Sequence, residues 1–168
     1  MVVMTTPEDL SPSTAFLEAF RRHGAGVAVV TLLKKDATPT GFIATSLASL
    51  SAAPPLASFN MTQTASSWRS ISVGTPLLIH MLGTDNVEVA KIMAGESHER
   101  FAGDHWAPGP DGLPLLKNAH AWLKATVVAV TEVEFSAMVA VRITGGAMGE
   151  NQTALVYQGR EYRAVSPL

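Results

Sequence analysis

The chain has 168 residues, the usual size of a single domain with one hydrophobic core. Charged residues make up only 15% of it, against roughly 25% in a typical soluble domain, and the net charge is −2. This balance argues against a broad basic face for nucleic acid or an anionic membrane. The absence of cysteine excludes a disulfide framework, a thiolate nucleophile, a cysteine-ligated zinc and an iron–sulfur cluster.

The shortage of charge predicts a homodimer, because the interfaces of obligate homodimers are depleted in charged residues. No stretch approaches about 18 apolar residues without a charge or a turn former. The N-terminus also lacks the basic and then apolar pattern of a signal peptide. We therefore expect a soluble protein of the cytoplasm.

In chain order, residues 1–12 are expected to form a flexible arm ahead of one domain over residues 13–168. Ser11 followed by Pro12 is typical of a helix start, and Gly24 of its end. β-Branched residues predict a first strand over residues 27–33. Further strands are predicted near residues 41–46, 56–61, 77–82, 123–131, 138–144, 154–157 and 161–165.

Two more helices are predicted, over residues 66–72 and 87–94, and Gly and Pro punctuation predicts a loop over residues 104–114. Many short strands joined by turns and a few brief helices indicate a mainly β barrel rather than a doubly wound parallel sheet.

Familiar phosphate-binding and catalytic spacings are missing, since the sequence has no G-x-G-x-x-G, Walker lysine, H-E-x-x-H or G-x-S-x-G motif. Residues 41–68 are instead rich in hydroxyl and amide groups, and Ser66 and Ser67 stand where a predicted helix begins. Free backbone N–H groups at a helix start can hold a phosphate. Serine and threonine also cluster at turns and caps for local hydrogen-bonding reasons, so both interpretations stay open at this point.

Four motifs in order resemble the flavin reductase-like family. They are G-F-I-A-T-S-L-A-S-L-S-A-A-P-P-L from Gly41, then Ser66-Ser67-Trp68, then Glu99-Arg100-Phe101-Ala102-Gly103-x-x-Trp106, then Leu155-Val156-Tyr157 with Arg160 and Tyr162. This family comprises short split-barrel proteins that serve as reductase components of two-component flavin monooxygenases. The resemblance implies a homodimeric FMN-binding split β-barrel with a few short flanking helices. It also implies that FMN or FAD is bound at the subunit boundary, reduced by NADH or NADPH, and supplied to a partner monooxygenase.

The resemblance further implies which residues contact the cofactor. Thr45 and Ser46 would meet the edge of the isoalloxazine ring. The ribityl and phosphate region would be lined by four polar residues, Asn60, Thr62, Ser66 and Ser67.

Three further positions follow from the same resemblance. Arg100 and Phe101 match a basic-Phe pair that supplies a charge for the phosphate and an aromatic ring beside the cofactor. His80 would stand at a strand end near the flavin ring, although a lone histidine on an apolar strand is also commonly a structural residue.

No metal site is expected, because the spacing of His98 and His105 matches no usual pair of ligands.

One position departs from the family pattern. Relatives usually carry a G-D-H or G-T-H triplet, whose histidine lies beside the nicotinamide path, where this chain has Glu134-Phe135-Ser136. Hydride transfer depends on how the nicotinamide is positioned, so Ser136 raises a second hypothesis. In it, the chain binds flavin but has lost or altered its use of NAD(P)H, and Phe135 either stacks on the nicotinamide or fills the pocket. The third hypothesis is a split barrel that binds no cofactor.

Overall fold

The structure is a computed structural model that describes residues 10–168, so most of the predicted arm over residues 1–12 lies outside the described part. The described chain forms two α-helices, α1 (Pro12–Arg22) and α2 (Val87–Ala94). Its strands are β1 (Ala25–Gly26), β2 (Ala28–Leu33), β3 (Pro39–Ala44), β4 (Ala48–Ala52), β5 (Pro55–Thr62), β6 (Pro76–Met81), β7 (Trp106–Pro108), β8 (Pro114–Leu116), β9 (Ala121–Val133), β10 (Ser136–Met148), β11 (Leu155–Gln158) and β12 (Glu161–Ala164).

The largest sheet has the order β3-β2-β6-β9-β10-β5-β4 and is antiparallel throughout. Its two end strands, β3 and β4, are joined by residues 45–47 alone, which span at most about 10 Å. The sheet must therefore curl until its ends meet. Across this seam the rings of Phe42 and Phe59 lie 5.7 Å apart inside the barrel, and the predicted mainly β barrel is confirmed.

Strand β2 is buried on both faces, and all of its residues except Thr31 are apolar. Ala28, Val30 and Leu32 point into the barrel. Val29 points the other way, into a second apolar cluster that contains Met93 of α2. A strand that is covered on both faces need not alternate polar and apolar residues. This explains why β2 is a nearly continuous apolar run.

A small sheet of order β1-β11-β12 holds the end of α1 against the barrel. The backbone N–H of Gly159 donates to the carbonyl of Arg21 at 2.8 Å, and the Gln158 side chain donates to the carbonyl of Arg22 at 2.8 Å. Both bonds satisfy carbonyls that a helix end leaves free. At the other end Ser11 caps α1 by accepting from the Thr14 N–H, as the sequence predicts.

Two predictions of local structure were wrong. Residues 66–72 form only a single 3₁₀ turn, Trp68–Ser70, instead of a helix. Residues 104–114 are not a plain loop, because β7 and β8 pair there as a short hairpin. Among the described residues no helix is long and apolar enough to cross a membrane.

Candidate functional site

The connection across the barrel seam carries two of the predicted site residues. Thr45 and Ser46 follow β3 directly, and the Ser46 hydroxyl accepts the backbone N–H of Asn60 on β5 at 2.8 Å. This bond joins the connection to the strand that closes the barrel. Thr45, Ser46 and Asn60 thus come together at one place, although Asn60 is distant from the other two in sequence.

A cleft of about 510 Å³ opens at this seam, and Thr45, Ser46 and Asn60 are among its lining residues. Groups from both ends of the chain form the rest of the lining, mainly Leu17, Phe20, Arg21, His23, Tyr157 and Arg160. A volume of this size is typical of a pocket for a cofactor-sized ligand. The lining combines aromatic rings, hydroxyls, an amide and cations, and it suits a flat heteroaromatic ligand that bears an anionic tail.

The predicted residues continue along the outer face of β5 and β10. Asn60 and Thr62 are both exposed and lie on the same side of β5, while Met61 between them points into the barrel. Across the strand pair, Asn60 is opposite Met138 and Thr62 is opposite Ser136. The polar positions near the seam and Ser136 therefore share one surface of the sheet.

The tip of the β9–β10 hairpin is fastened to the loop that follows β5. The backbone N–H of Gln63 donates to the carbonyl of Phe135 at 2.9 Å. Its side-chain amide donates to the carbonyls of Glu134 and Ser136, each at 3.2 Å. Glu134 takes a left-handed conformation with φ of 52°, which makes the tight turn. The ring of Phe135 is left 80% exposed on this tip.

The two serines predicted for the phosphate region have different surroundings. Ser66 is exposed, whereas Ser67 is fully buried and its hydroxyl lies 2.8 Å from that of Thr40. The backbone N–H groups of Trp68 and Ser70 bond to carbonyls within the same turn. Because no α-helix begins here, the structure lacks the helix start that the sequence suggested as a phosphate site.

His80 lies within the fold and outside the cleft. The Leu116 N–H donates to its Nε2 at 3.0 Å, so Nδ1 carries the proton and donates to the carbonyl of Val29 at 3.1 Å. Burial lowers the pKa of His80 to about 4. Both ring nitrogens are engaged by backbone groups of the fold, and the side chain is fully buried.

Arg100 and Phe101 also lie outside the cleft lining. The Arg100 guanidinium donates to the carbonyl of Gly41 at 2.8 Å and to that of Gly95 at 3.1 Å, and its partial burial lowers the pKa of that group. The Phe101 ring packs edge-on against Trp106 at 5.4 Å. This pair joins the segment after α2 to the outside of β3.

Sequence reasoning missed the contribution of the chain ends to the site. Arg21, His23 and Arg160 all line the cleft, and the sequence predicted none of them as a cofactor contact. The sequence gives little indication that these residues meet, because Arg21 and His23 lie near its start and Arg160 lies near its end. Among the described residues there is no group of three acidic or histidine side chains arranged to hold a metal ion.

Comparison with known proteins gives a consistent result. The family model described as "Flavin reductase like domain" matches residues 20–166. The chain is 34% identical to an NADH:FMN oxidoreductase of Rhodococcus qingshengii, over 96% of this chain and 88% of that protein. It is 31% identical to the reductase component of flavin-dependent trigonelline monooxygenase of Acinetobacter baylyi, over 86% of this chain and 45% of that protein.

Among solved structures, a flavin reductase domain protein from Arthrobacter sp. FB24 superposes with a TM-score of 0.89 and 44% identity. The match covers 93% of this chain and 97% of that one. The family model spans most of the described residues, including the seam, the cleft and the β9–β10 hairpin. The chain belongs to the flavin reductase-like domain family.

Proposed function

We propose that this chain is an NAD(P)H:flavin oxidoreductase, which reduces FMN or FAD with NADH or NADPH. The observation that carries the proposal is the convergence of Thr45, Ser46 and Asn60 on one cleft of cofactor size at the barrel seam. Similarity to the Rhodococcus NADH:FMN oxidoreductase supports the same activity. The domain that performs it spans residues 13–168.

In this proposal the chain binds and orients its ligands, and a bound flavin supplies the acceptor for a hydride from the nicotinamide. The hydroxyls of Thr45 and Ser46 and the amide of Asn60 offer donors and acceptors to the ring edge. Phe20 also lines the cleft and offers an aromatic surface to the ring. Thr62 and Ser66 remain proposed contacts of the ribityl chain, and both are exposed.

The test is anaerobic reduction of FMN and FAD by NADH and NADPH, followed by the bleaching of the flavin absorbance. We expect at least one combination to react far faster with the protein than without it. Reduction at the uncatalysed rate in all four combinations would contradict the proposal.

A second function rests on Ser136, which by the family resemblance would stand where relatives carry a histidine. In this alternative the chain binds flavin and oxidises NAD(P)H weakly or uses another reductant. The purified protein would then carry a flavin spectrum that NADH and NADPH bleach only slowly. The same absorbance measurement separates the two functions.

The proposed homodimer is supported by α1, in which none of the 11 residues is buried. Phe16 is 59% exposed and Phe20 60% exposed, on a helix whose neighbouring residues line the cleft. Covering such a face with a second copy would remove apolar surface from water and place the cleft at the subunit boundary. Sedimentation of the wild type and of Phe16→Glu tests this: a monomeric wild type contradicts the dimer.

The proposed partner is the monooxygenase component of a two-component system in the cytoplasm, where NADH and NADPH are available. Support comes from the Acinetobacter relative, which is named as such a reductase component. A coupled assay tests the proposal by asking whether flavin reduced by this chain sustains a separate flavin-dependent monooxygenase. Reduced flavin that never leaves the protein would contradict it.

A further inference from the structure

The cleft carries an uneven charge. Arg21, His23 and Arg160 are among its lining residues, and no aspartate or glutamate is. Arg21 is paired at 3.0 Å with Glu18, which is not a lining residue. Among residues 10–168, Arg160 has neither an ion pair nor a side-chain hydrogen bond, so its guanidinium is free to meet a ligand.

Arg160 occupies a backbone conformation that does not suit it. It has φ of 64° and follows Gly159 with φ of 60°, so both central residues of the two-residue β11–β12 turn are left-handed. Such turns prefer glycine, asparagine or aspartate, because a longer side chain strains the left-handed region. A long cation at this position is disfavoured by the fold, and unfavourable conformations of this kind cluster at ligand sites.

The turn is held in place beside the other cations. The hydrogen bonds from Gly159 and Gln158 to the carbonyls of Arg21 and Arg22 fix the tip of the hairpin on the end of α1. They also engage two carbonyl oxygens of the helix end, whose negative potential would otherwise oppose an anion. Arg160 and Arg21 therefore line one rigid part of the cleft.

Arg100, which the resemblance predicts as the positive charge for the phosphate, is engaged elsewhere. Arg100 donates to the carbonyls of Gly41 and Gly95 and is not among the cleft-lining residues. Ser67, which was expected beside the same phosphate, is buried against Thr40. A phosphate carried by a ligand at Thr45, Ser46 and Asn60 would therefore need a positive partner other than Arg100, and Arg160 lines the same cleft.

We propose that Arg160, supported by Arg21 and His23, binds the phosphate group of the ligand that occupies the cleft. The inference rests on the proposed function, since that phosphate ester belongs either to the flavin or to the nicotinamide dinucleotide. A guanidinium matches two phosphate oxygens with parallel hydrogen bonds, which makes arginine a discriminating partner for this group.

The test compares FMN with riboflavin, which differs only in lacking the phosphate. Dissociation constants of both are measured by quenching of flavin fluorescence, without any nucleotide, for the wild type and Arg160→Gln. If the flavin phosphate is bound, the FMN constant rises roughly ten- to a hundredfold in the variant and the riboflavin constant stays within about twofold. Arg160→Lys is expected to recover part of the loss, because it restores the charge without the paired geometry.

The nicotinamide dinucleotide is the other possible source of the phosphate. To test it, the KM for NADH or NADPH is measured with riboflavin as the electron acceptor, so that only the nucleotide carries phosphate. An unchanged FMN preference together with a raised KM for NADH or NADPH in Arg160→Gln assigns the site to the dinucleotide. If neither the preference for FMN over riboflavin nor the nucleotide KM changes, the proposal is wrong. It is also overturned if Arg100→Gln, and not Arg160→Gln, removes the preference for FMN.

Two control variants separate binding from folding. Arg163→Gln lies on the same hairpin, pairs with Glu161 at 2.9 Å outside the cleft, and is expected to bind FMN as the wild type does. Arg160→Gly relieves the left-handed conformation and is expected to raise the melting temperature while it weakens FMN or nucleotide binding. The binding measurements need no turnover, so a protein that binds FMN through Arg160 but does not reduce it would refute the proposed function alone.

Discussion

Ser136 lies directly across the β5–β10 strand pair from Thr62, on the exposed face that continues to Asn60 and the cleft. A histidine at position 136 would therefore project over the same surface as the proposed cofactor contacts. We expect Ser136→His to raise kcat/KM for NADH or NADPH, because an imidazole there can orient the nicotinamide. Steady-state oxidation of both nucleotides checks this, with Ser136→Ala as the control. A rate equal to that of the wild type would show that the missing imidazole does not limit the reaction.

Gln63 fastens the β9–β10 hairpin tip to the loop after β5. In Gln63→Leu the two side-chain hydrogen bonds to the tip are lost, and each is worth about 1 kcal/mol. We expect kcat/KM for the nucleotide to fall by roughly three- to tenfold, with the FMN dissociation constant unchanged and amide exchange at Phe135 and Ser136 accelerated. Thr64→Ala, in the same loop, is the control. An equal loss of FMN binding would mean that Gln63 supports the flavin loop instead of the tip.

Ser46 holds the seam connection to β5 through the backbone N–H of Asn60. Ser46→Ala leaves that N–H without its acceptor, and the free energy of unfolding is expected to fall by about 1 kcal/mol. Flavin binding is expected to weaken as well, because the hydroxyl lines the cleft. Urea denaturation and flavin titration measure the two effects. Ser49→Ala, on the neighbouring strand, is the control, and an equal effect there would contradict a special role for Ser46.

His80 makes the stability of the fold depend on pH. Burial lowers its pKa to about 4, from 6.5 for an ordinary histidine, so the unfolded chain takes up the proton first. The stabilisation is complete above about pH 6.5 and is lost as the pH falls towards 4, by about 3 kcal/mol in total. His80→Gln is expected to flatten this part of the stability profile in denaturant titrations between pH 4 and 7.5. The exposed His98→Gln is the control, and identical slopes for wild type and His80→Gln would refute the prediction.

Much of the secondary structure is predictable because it depends on local patterns. Helix α2 begins and ends where the sequence places it, with Gly95 after its last turn. The alternation of β5 and the apolar run of β6 mark those strands within a residue or two. The hairpin of β7 and β8 escaped prediction because strands of three residues are too short to show alternation. The turn at Trp68 was mistaken for a helix because serines are as common in turns as at helix caps.

The site was predictable only in part, and the reason is topological. The resemblance predicts Thr45, Ser46 and Asn60 as cofactor contacts, and closure of the barrel brings all three to one cleft. The resemblance also predicts His80 and Arg100 as cofactor contacts, but their polar atoms bond to backbone groups outside that cleft. Residue type alone does not separate these cases, because burial and hydrogen-bond partners depend on strands that are remote in sequence.

The sequence by itself determined a cysteine-free chain of low charge, its mainly β character and its family, because composition and ordered motifs are local properties. The tertiary structure alone decided which polar residues face the cleft. Arg21 and Arg160 come from opposite ends of the chain and line the same cleft because the β11–β12 turn bonds to the end of α1. That contact between distant segments has no local signature, since it forms only once the barrel has closed.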